Sequence, residues 1–175
     1  MFLEPEKNLA QFHIDPGMKV ADMGAGVGYY AFLIAELVGP SGKVYALDVV
    51  KDLLEKLKSD AVARNLNNIE VVWCDLDEIN GTTLHDYTVD RVVITNTLFQ
   101  MENKDNFIKE AYRILKPKGK MMLVDWSDSY AGLGPTVGEV VKPDAARVLC
   151  EHSGFVFEKE ISAGDHHYGF VFKKN

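Results

Sequence analysis

A chain of 175 residues, 47% hydrophobic and 26% charged, can bury one sizeable core and is too short for two ordinary domains. That composition excludes a disordered chain, and a formal net charge of −7 argues against broad binding to nucleic-acid phosphates. No run of about eighteen apolar residues marks a transmembrane helix. The opening MFLEPEKN lacks the basic region and apolar core of a secretory leader. Cys74 and Cys150 give neither a disulfide framework nor zinc spacing, so both are read as reduced thiols in a cytoplasmic protein.

Residues 4–13 read as a short helix with Pro5 in its first turn, and Asp15-Pro16-Gly17 as a turn. Lys19 to Met23 is a first strand, and Gly28 to Val38 an apolar helix stopped by Gly39 and Pro40. KVYALD, ending at Asp48, is a second strand. Lys51 to Arg64 places Leu53, Leu54, Leu57 and Ala61 on one stripe of an amphipathic helix. Ile69 to Trp73 and Asp90 to Thr95 are the third and fourth strands. A helix over Asp105 to Leu115 should end at Lys116-Pro117-Lys118-Gly119, before a fifth strand from Lys120 to Trp126. Residues 127–142, with four glycines or prolines, form a long loop of the kind that often carries function. Asp144 to Ser153 is the last helix, and Phe155 to Ile161 and His167 to Lys173 close the chain as two strands. Alternating strands and helices argue for a parallel sheet covered on both faces. The last two strands have no helix between them and should pair antiparallel.

The segment VADMGAGVGYY carries the chemistry. Gly24, Gly26 and Gly28 follow a strand and open a helix, where absence of a Cβ lets the backbone approach a ligand. In open parallel sheets ligands bind at the carboxyl ends of the strands. The dinucleotide fingerprint G-x-G-x-x-G would need a third glycine at position 29, which is Tyr29. Asp22 stands two residues before the first glycine. A carboxylate there disfavours a pyrophosphate and suits a ligand bearing an ammonium and a sulfonium, such as S-adenosylmethionine (SAM). Asp48 can accept from both hydroxyls of a ribose. Asp75 can accept from the adenine amine, with the Leu76 N–H facing a ring nitrogen. The plain alternative is that such strand-end acids cap helices and loops.

PGMKVADMGAGVGYYAFLIAELVGPSGKVYALDV and ITNTLFQMENKDNFIKEAYRILKPKGKMMLVDW resemble the class I SAM-dependent methyltransferases, in their small-molecule and quinone-modifying branch. The resemblance runs from about Pro16 to the end of the chain. It implies a three-layer Rossmann-like α/β fold with a seven-stranded, mostly parallel sheet, order 3-2-1-4-5-7-6, strand 7 antiparallel. By matching position, Asp22, Gly24, Gly26 and Gly28 surround the methionine part. Asp48 and Val49 meet the ribose, Asp75 and Leu76 hold the adenine, and Asn96 lies near the methionine end. Gln100 stands where a histidine is common, and no Asn-Pro-Pro-Tyr follows the fourth strand, which argues against amino-methylation of DNA adenine or of glutamine. Residues 1–175 are expected to form one methyltransferase domain, with an N-terminal helix in 1–15 and a core over 16–175.

Methyl transfer from a sulfonium mainly requires alignment and exclusion of water, and a base only where the acceptor must lose a proton. Asp125, Trp126, Glu139, His166, His167 and Tyr168 are polar or aromatic candidates to face the acceptor, and Tyr29 and Tyr30 to line the cofactor pocket. The plain reading has Asp125 capping a strand end, Trp126 and the tyrosines packing, and the histidines flanking a turn. No metal is expected, because adjacent His166 and His167 point to opposite faces of a strand and share an ion poorly with His152. A small or medium apolar acceptor is expected, from Trp126 and the Gly-rich loop. The competing readings are a SAM-fold binder or regulator without catalysis and an NAD-dependent oxidoreductase.

Overall fold

A computed structural model describes residues 4–175; residues 1–3, the beginning of the MFLEPEKN stretch, lie outside the described residues. Seven strands form one sheet in the order β3-β2-β1-β4-β5-β7-β6. They are β1 (Lys19–Met23), β2 (Lys43–Asp48), β3 (Ile69–Trp73), β4 (Val89–Thr95), β5 (Leu115–Trp126), β6 (Phe155–Ile161) and β7 (His167–Lys174). β1 pairs in parallel with β2 and β4, β2 with β3, and β4 with β5. β7 runs antiparallel to both β5 and β6. The connection between β6 and β7 is too short for a crossover, so antiparallel pairing follows.

Strand alternation sends side chains to two cores. Ala21, Met23, Val92, Ile94, Met121 and Leu123 face one side, under α4 (Lys104–Ile114) and α5 (Pro143–His152). Val20, Val44, Val93, Met122 and Val124 face the other, under α1 (Pro5–Ala10) and α2 (Tyr29–Val38), with Leu57 and Ala61 of α3 (Lys51–Ala63). The central strands are buried on both faces, which is why they read as nearly continuous apolar runs. α1 has six residues, too few to hold a helix by itself. Burial of its Leu9 and of Phe12 just beyond it fixes it to the sheet.

Two boundaries differ from the sequence reading by more than one residue. The helix expected over residues 4–13 closes at Ala10. α4 passes directly into β5, so Lys116 to Gly119 belong to the strand's first part, not to a separate turn. Val89 pairs with Leu115 and the register then shifts before Arg91 meets Lys120. Lys118 takes a positive φ of 63° there. The irregularity absorbs the reversal that the Lys-Pro-Lys-Gly chemistry signals.

Candidate functional site

The first crossover leaves β1 at Met23 and enters α2 at Tyr29. Gly24 and Ala25 both donate to Leu47 O, at 2.9 and 3.0 Å, tying the loop to the end of β2. The three glycines do different things. A Cβ on Gly24 would collide with the Thr97 side chain, and one on Gly28 would meet Leu57 Cγ and Phe32 Cζ at 2.8 Å. These two glycines serve the protein's own packing. Gly26, at φ 52°, has nothing within 4 Å of that position, so it is the glycine whose missing Cβ leaves open space for a ligand.

Asp22 is 1% exposed, and neither carboxylate oxygen has a hydrogen-bond partner. Burial, and then the nearby Asp48 charge, push its carboxyl up to about 7; the Ala31 N–H opposes this only in part and does not close a hydrogen bond. A bare buried carboxylate is costly and calls for a cation. Asp48 behaves differently. Its Oδ2 accepts from Gly26 N at 2.8 Å and its Oδ1 from Val50 N at 2.9 Å. It therefore holds the glycine loop and the start of α3, while each oxygen keeps a lone pair for a ribose hydroxyl. Asp75 is exposed and accepts from Asp77 N at 2.9 Å, a local turn. The plain capping reading of strand-end acids thus holds for Asp48 and Asp75 and fails for Asp22.

β2 and β3 end side by side, with Asp48 paired to Trp73 and Cys74 N donating to Asp48 O at 3.0 Å. Val49 is 56% exposed, and its carbonyl accepts from Trp73 Nε1 at 2.9 Å. Leu76 is buried against the core. On the other side of β1, Asn96 continues β4 in a left-handed conformation, φ 54°, with a buried Oδ1 that has no partner. Asp22, Asp48, Asn96 and the open face of Gly26 therefore lie along the carboxyl edge of β2, β1 and β4.

The acceptor candidates separate. Asp125 is buried and turned inward, accepting from Trp126 N at 2.8 Å and Phe99 N at 3.1 Å; burial pushes its carboxyl up to about 6. It fastens the short 3-10 turn Leu98–Gln100, in keeping with the capping reading. Glu139 is exposed and accepts from Thr136 N and Oγ1, both at 2.8 Å, closing a turn of the loop after β5. His166 pairs with Asp128 at 2.9 Å and stacks on Tyr130. His167 lies against Trp126 with ring centroids 4.3 Å apart and planes tilted by 39°, and its Nδ1 lies 2.8 Å from Asp165 O. A carbonyl partner makes Nδ1 the donor, which leaves the lone pair on Nε2, a buried atom without a partner. Tyr29 is 75% exposed and Tyr30 is buried. Among the described residues no group of three or more His, Cys, Asp or Glu is arranged to hold a metal.

The sequence reading missed Asn8. This residue of α1 is fully buried, and its Nδ2 donates to Tyr30 Oη at 2.8 Å. Nothing in the pattern PEKNLA separates it from a solvated helix residue. A cavity of about 820 Å³ opens at the other end of the sheet between Ala35, Gly39, Lys43, Asn65 and Glu70. That is the amino edge of β2 and β3, opposite the edge where open parallel sheets bind ligands.

The edge fits SAM on its own chemistry. An unpartnered carboxylate beside an open glycine accepts a cation and repels a pyrophosphate. The model of a family described as a methyltransferase domain matches residues 14–156. A SAM-dependent methyltransferase of Aquifex aeolicus, solved by crystallography, superposes with a TM-score of 0.90 at 28% identity, covering 99% of this chain and 91% of that one. A demethylmenaquinone methyltransferase of Geobacillus sp. (strain WCH70) is 30% identical over 122 residues, 70% of this chain and 51% of that protein. An arsenite methyltransferase of Halobacterium salinarum is 32% identical over 111 residues, 63% of this chain and 27% of that protein. The chain thus spans about half or less of the length of these two curated relatives. No helix among the described residues is long and apolar enough to cross a membrane. A fold shared almost end to end and a family match over most of the length lead to one conclusion: this chain belongs to the family of SAM-dependent methyltransferase domains.

Proposed function

We propose that residues 1–175 act as one methyltransferase domain, moving the methyl group of SAM to a small or medium apolar acceptor in the cytoplasm. The observation that carries the cofactor reading is Asp22, a buried carboxylate without a partner beside an open glycine. Asp22 would meet the donor's ammonium, with Gly24, Gly26 and Gly28 as backbone floor. Asp48 would accept from the ribose beside Val49, Asp75 and Leu76 would hold the adenine, and Asn96 would stand at the methionine end. When bound, SAM supplies an electrophilic methyl carbon on a good leaving group. The chain's own share is to orient the acceptor and exclude water. Trp126 and the loop that packs on it through Gly134 would do so.

The small-molecule part of the acceptor reading is supported by relatives named for demethylmenaquinone and for arsenite, and its apolar part by Trp126 and the Gly-rich loop. Incubation with SAM and a panel of quinols, phenols and arsenite should release S-adenosylhomocysteine with at least one of them. Turnover on a protein or RNA alone would remove the small-molecule assignment. For the cofactor, Asp48→Ala should weaken S-adenosylhomocysteine binding about tenfold or more, since it removes ribose acceptors and the anchor of Gly26. An unchanged Kd by calorimetry would show that the ribose lies elsewhere.

A further inference from the structure

Among the described residues, the buried side-chain oxygens and nitrogens without hydrogen-bond partners fall on Asn8, Asp22, Asn96, His167 and Tyr168. Four of these residues end or start the strands β1, β4 and β7 at the carboxyl edge. The fifth, Asn8, comes from α1. Its Nδ2 donates to Tyr30 Oη at 2.8 Å, and in that orientation Oδ1 has no partner within the chain. Tyr30 lies in the first turn of α2, and the Asp22 charge contributes to raising its phenol, so the two are electrostatic neighbours. Asp22 follows Val20 on the strand face that α1 and α2 cover.

Resting on the cofactor reading above, we infer that Asn8 Oδ1 is a ligand for the ammonium group of the donor, so that α1 closes the methionine end of the site. On the side of β1 that α1 and α2 cover, the two Asp22 oxygens and Asn8 Oδ1 are buried acceptors for which the chain supplies no donor, and an ammonium has N–H groups to give to both residues. An unmet buried acceptor destabilises the empty fold, and a donor from a ligand removes that penalty. A leucine would pack there at lower cost. The helix is also held in place for the task. Beyond Asn8, Gln11 exchanges two bonds of 3.0 Å with the Ser162 backbone, and Lys159 donates to Gln11 O at 2.7 Å. Asn8 is thus pinned between α2 and the β6–β7 turn.

Calorimetry with two probes tests this: S-adenosylhomocysteine, and 5′-methylthioadenosine, the same thio-nucleoside without the amino-acid part. Asn8→Ala should weaken S-adenosylhomocysteine about tenfold and leave methylthioadenosine within about twofold. Equal losses for both probes, or no loss for either, overturn the inference. If Asn8→Ala does not fold, Tyr30→Phe decides. It frees the Asn8 amide to turn and should give the same selective loss, severalfold in size; an unselective or absent effect overturns the inference. A wild-type chain that binds methylthioadenosine and S-adenosylhomocysteine equally also overturns it. A wild-type chain that binds neither overturns the cofactor reading itself.

Discussion

Asp22→Asn should make the empty protein more stable at pH 8 and reduce its affinity for S-adenosylhomocysteine by about a hundredfold or more. Both effects have one cause. The Asp22 carboxyl rises from an ordinary 3.8 to about 7 because it is buried, with the Asp48 charge adding to the shift. A carboxyl with a raised folded pKa penalises folding where the unfolded chain would ionise and the folded chain resists. Below about pH 4 both states are protonated and there is no penalty. Stability is lost as pH rises from about 4 to about 7, by on the order of 4 kcal/mol if the whole shift is expressed. Removing the charge removes that loss, so the variant and wild type should match at pH 4 in urea denaturation and diverge at pH 8. The same substitution puts a neutral amide where the proposed site offers a counter-charge to the donor's ammonium. A variant that is less stable at pH 8 and binds with unchanged affinity would show that Asp22 has a hidden partner and no ligand. Ligand binding near pH 6 should also release a proton, readable from calorimetry in buffers of different ionisation enthalpy.

Glu110→Ala should cost about 3–5 kcal/mol and lower Tm by roughly 10 °C. Glu110 has no exposed surface. Its Oε1 accepts from Thr82 Oγ1 at 2.5 Å and Arg113 Nη2 at 2.7 Å, and its Oε2 from Arg113 Nε at 2.8 Å and Asn80 N at 2.9 Å. Arg113 reaches on to Leu84 O at 2.8 Å and Asp86 at 2.6 Å. This network ties the loop between β3 and β4 to α4. Burial works to raise the Glu110 carboxyl, but Arg113, Thr82 and the Asn80 N–H outweigh it and hold it below the usual range. Its stabilisation is therefore present above the ordinary carboxylate pKa and disappears as pH falls through the lowered one. The difference between wild type and variant should shrink in acid. Because the same loop begins at Asp75 and Leu76, the variant should also bind S-adenosylhomocysteine more weakly. A variant with wild-type Tm would mean that the loop is held by other contacts.

These two residues show where sequence reading stops. Glu110 and Arg113, three apart on α4, look like a solvated ion pair on a helix surface. Their burial follows from the chain between β3 and β4 returning over them, a contact thirty residues long that no local pattern records. Asp22 was legible as an acid before a glycine loop, but an acid that caps the loop looks the same in sequence. Asp48, at the end of the next strand and read by the same logic, does the capping as well. Glu139 and Asp125 were equally plausible at an acceptor, yet each spends its carboxylate on nearby backbone N–H groups.

Periodicity, turn chemistry and the glycine spacing determined the strands, the order of helices and the crossover that carries the glycine loop, because those depend on residues within a turn or a strand of each other. Only the tertiary structure decided which polar atoms are left without partners. Desolvation and hydrogen-bond satisfaction depend on what packs from elsewhere in the chain. That is how Asn8, from the first short helix, comes to be buried on a Tyr30 that lies twenty-two residues ahead of it, and why Gly26, of three similar glycines, is the one with open space above it.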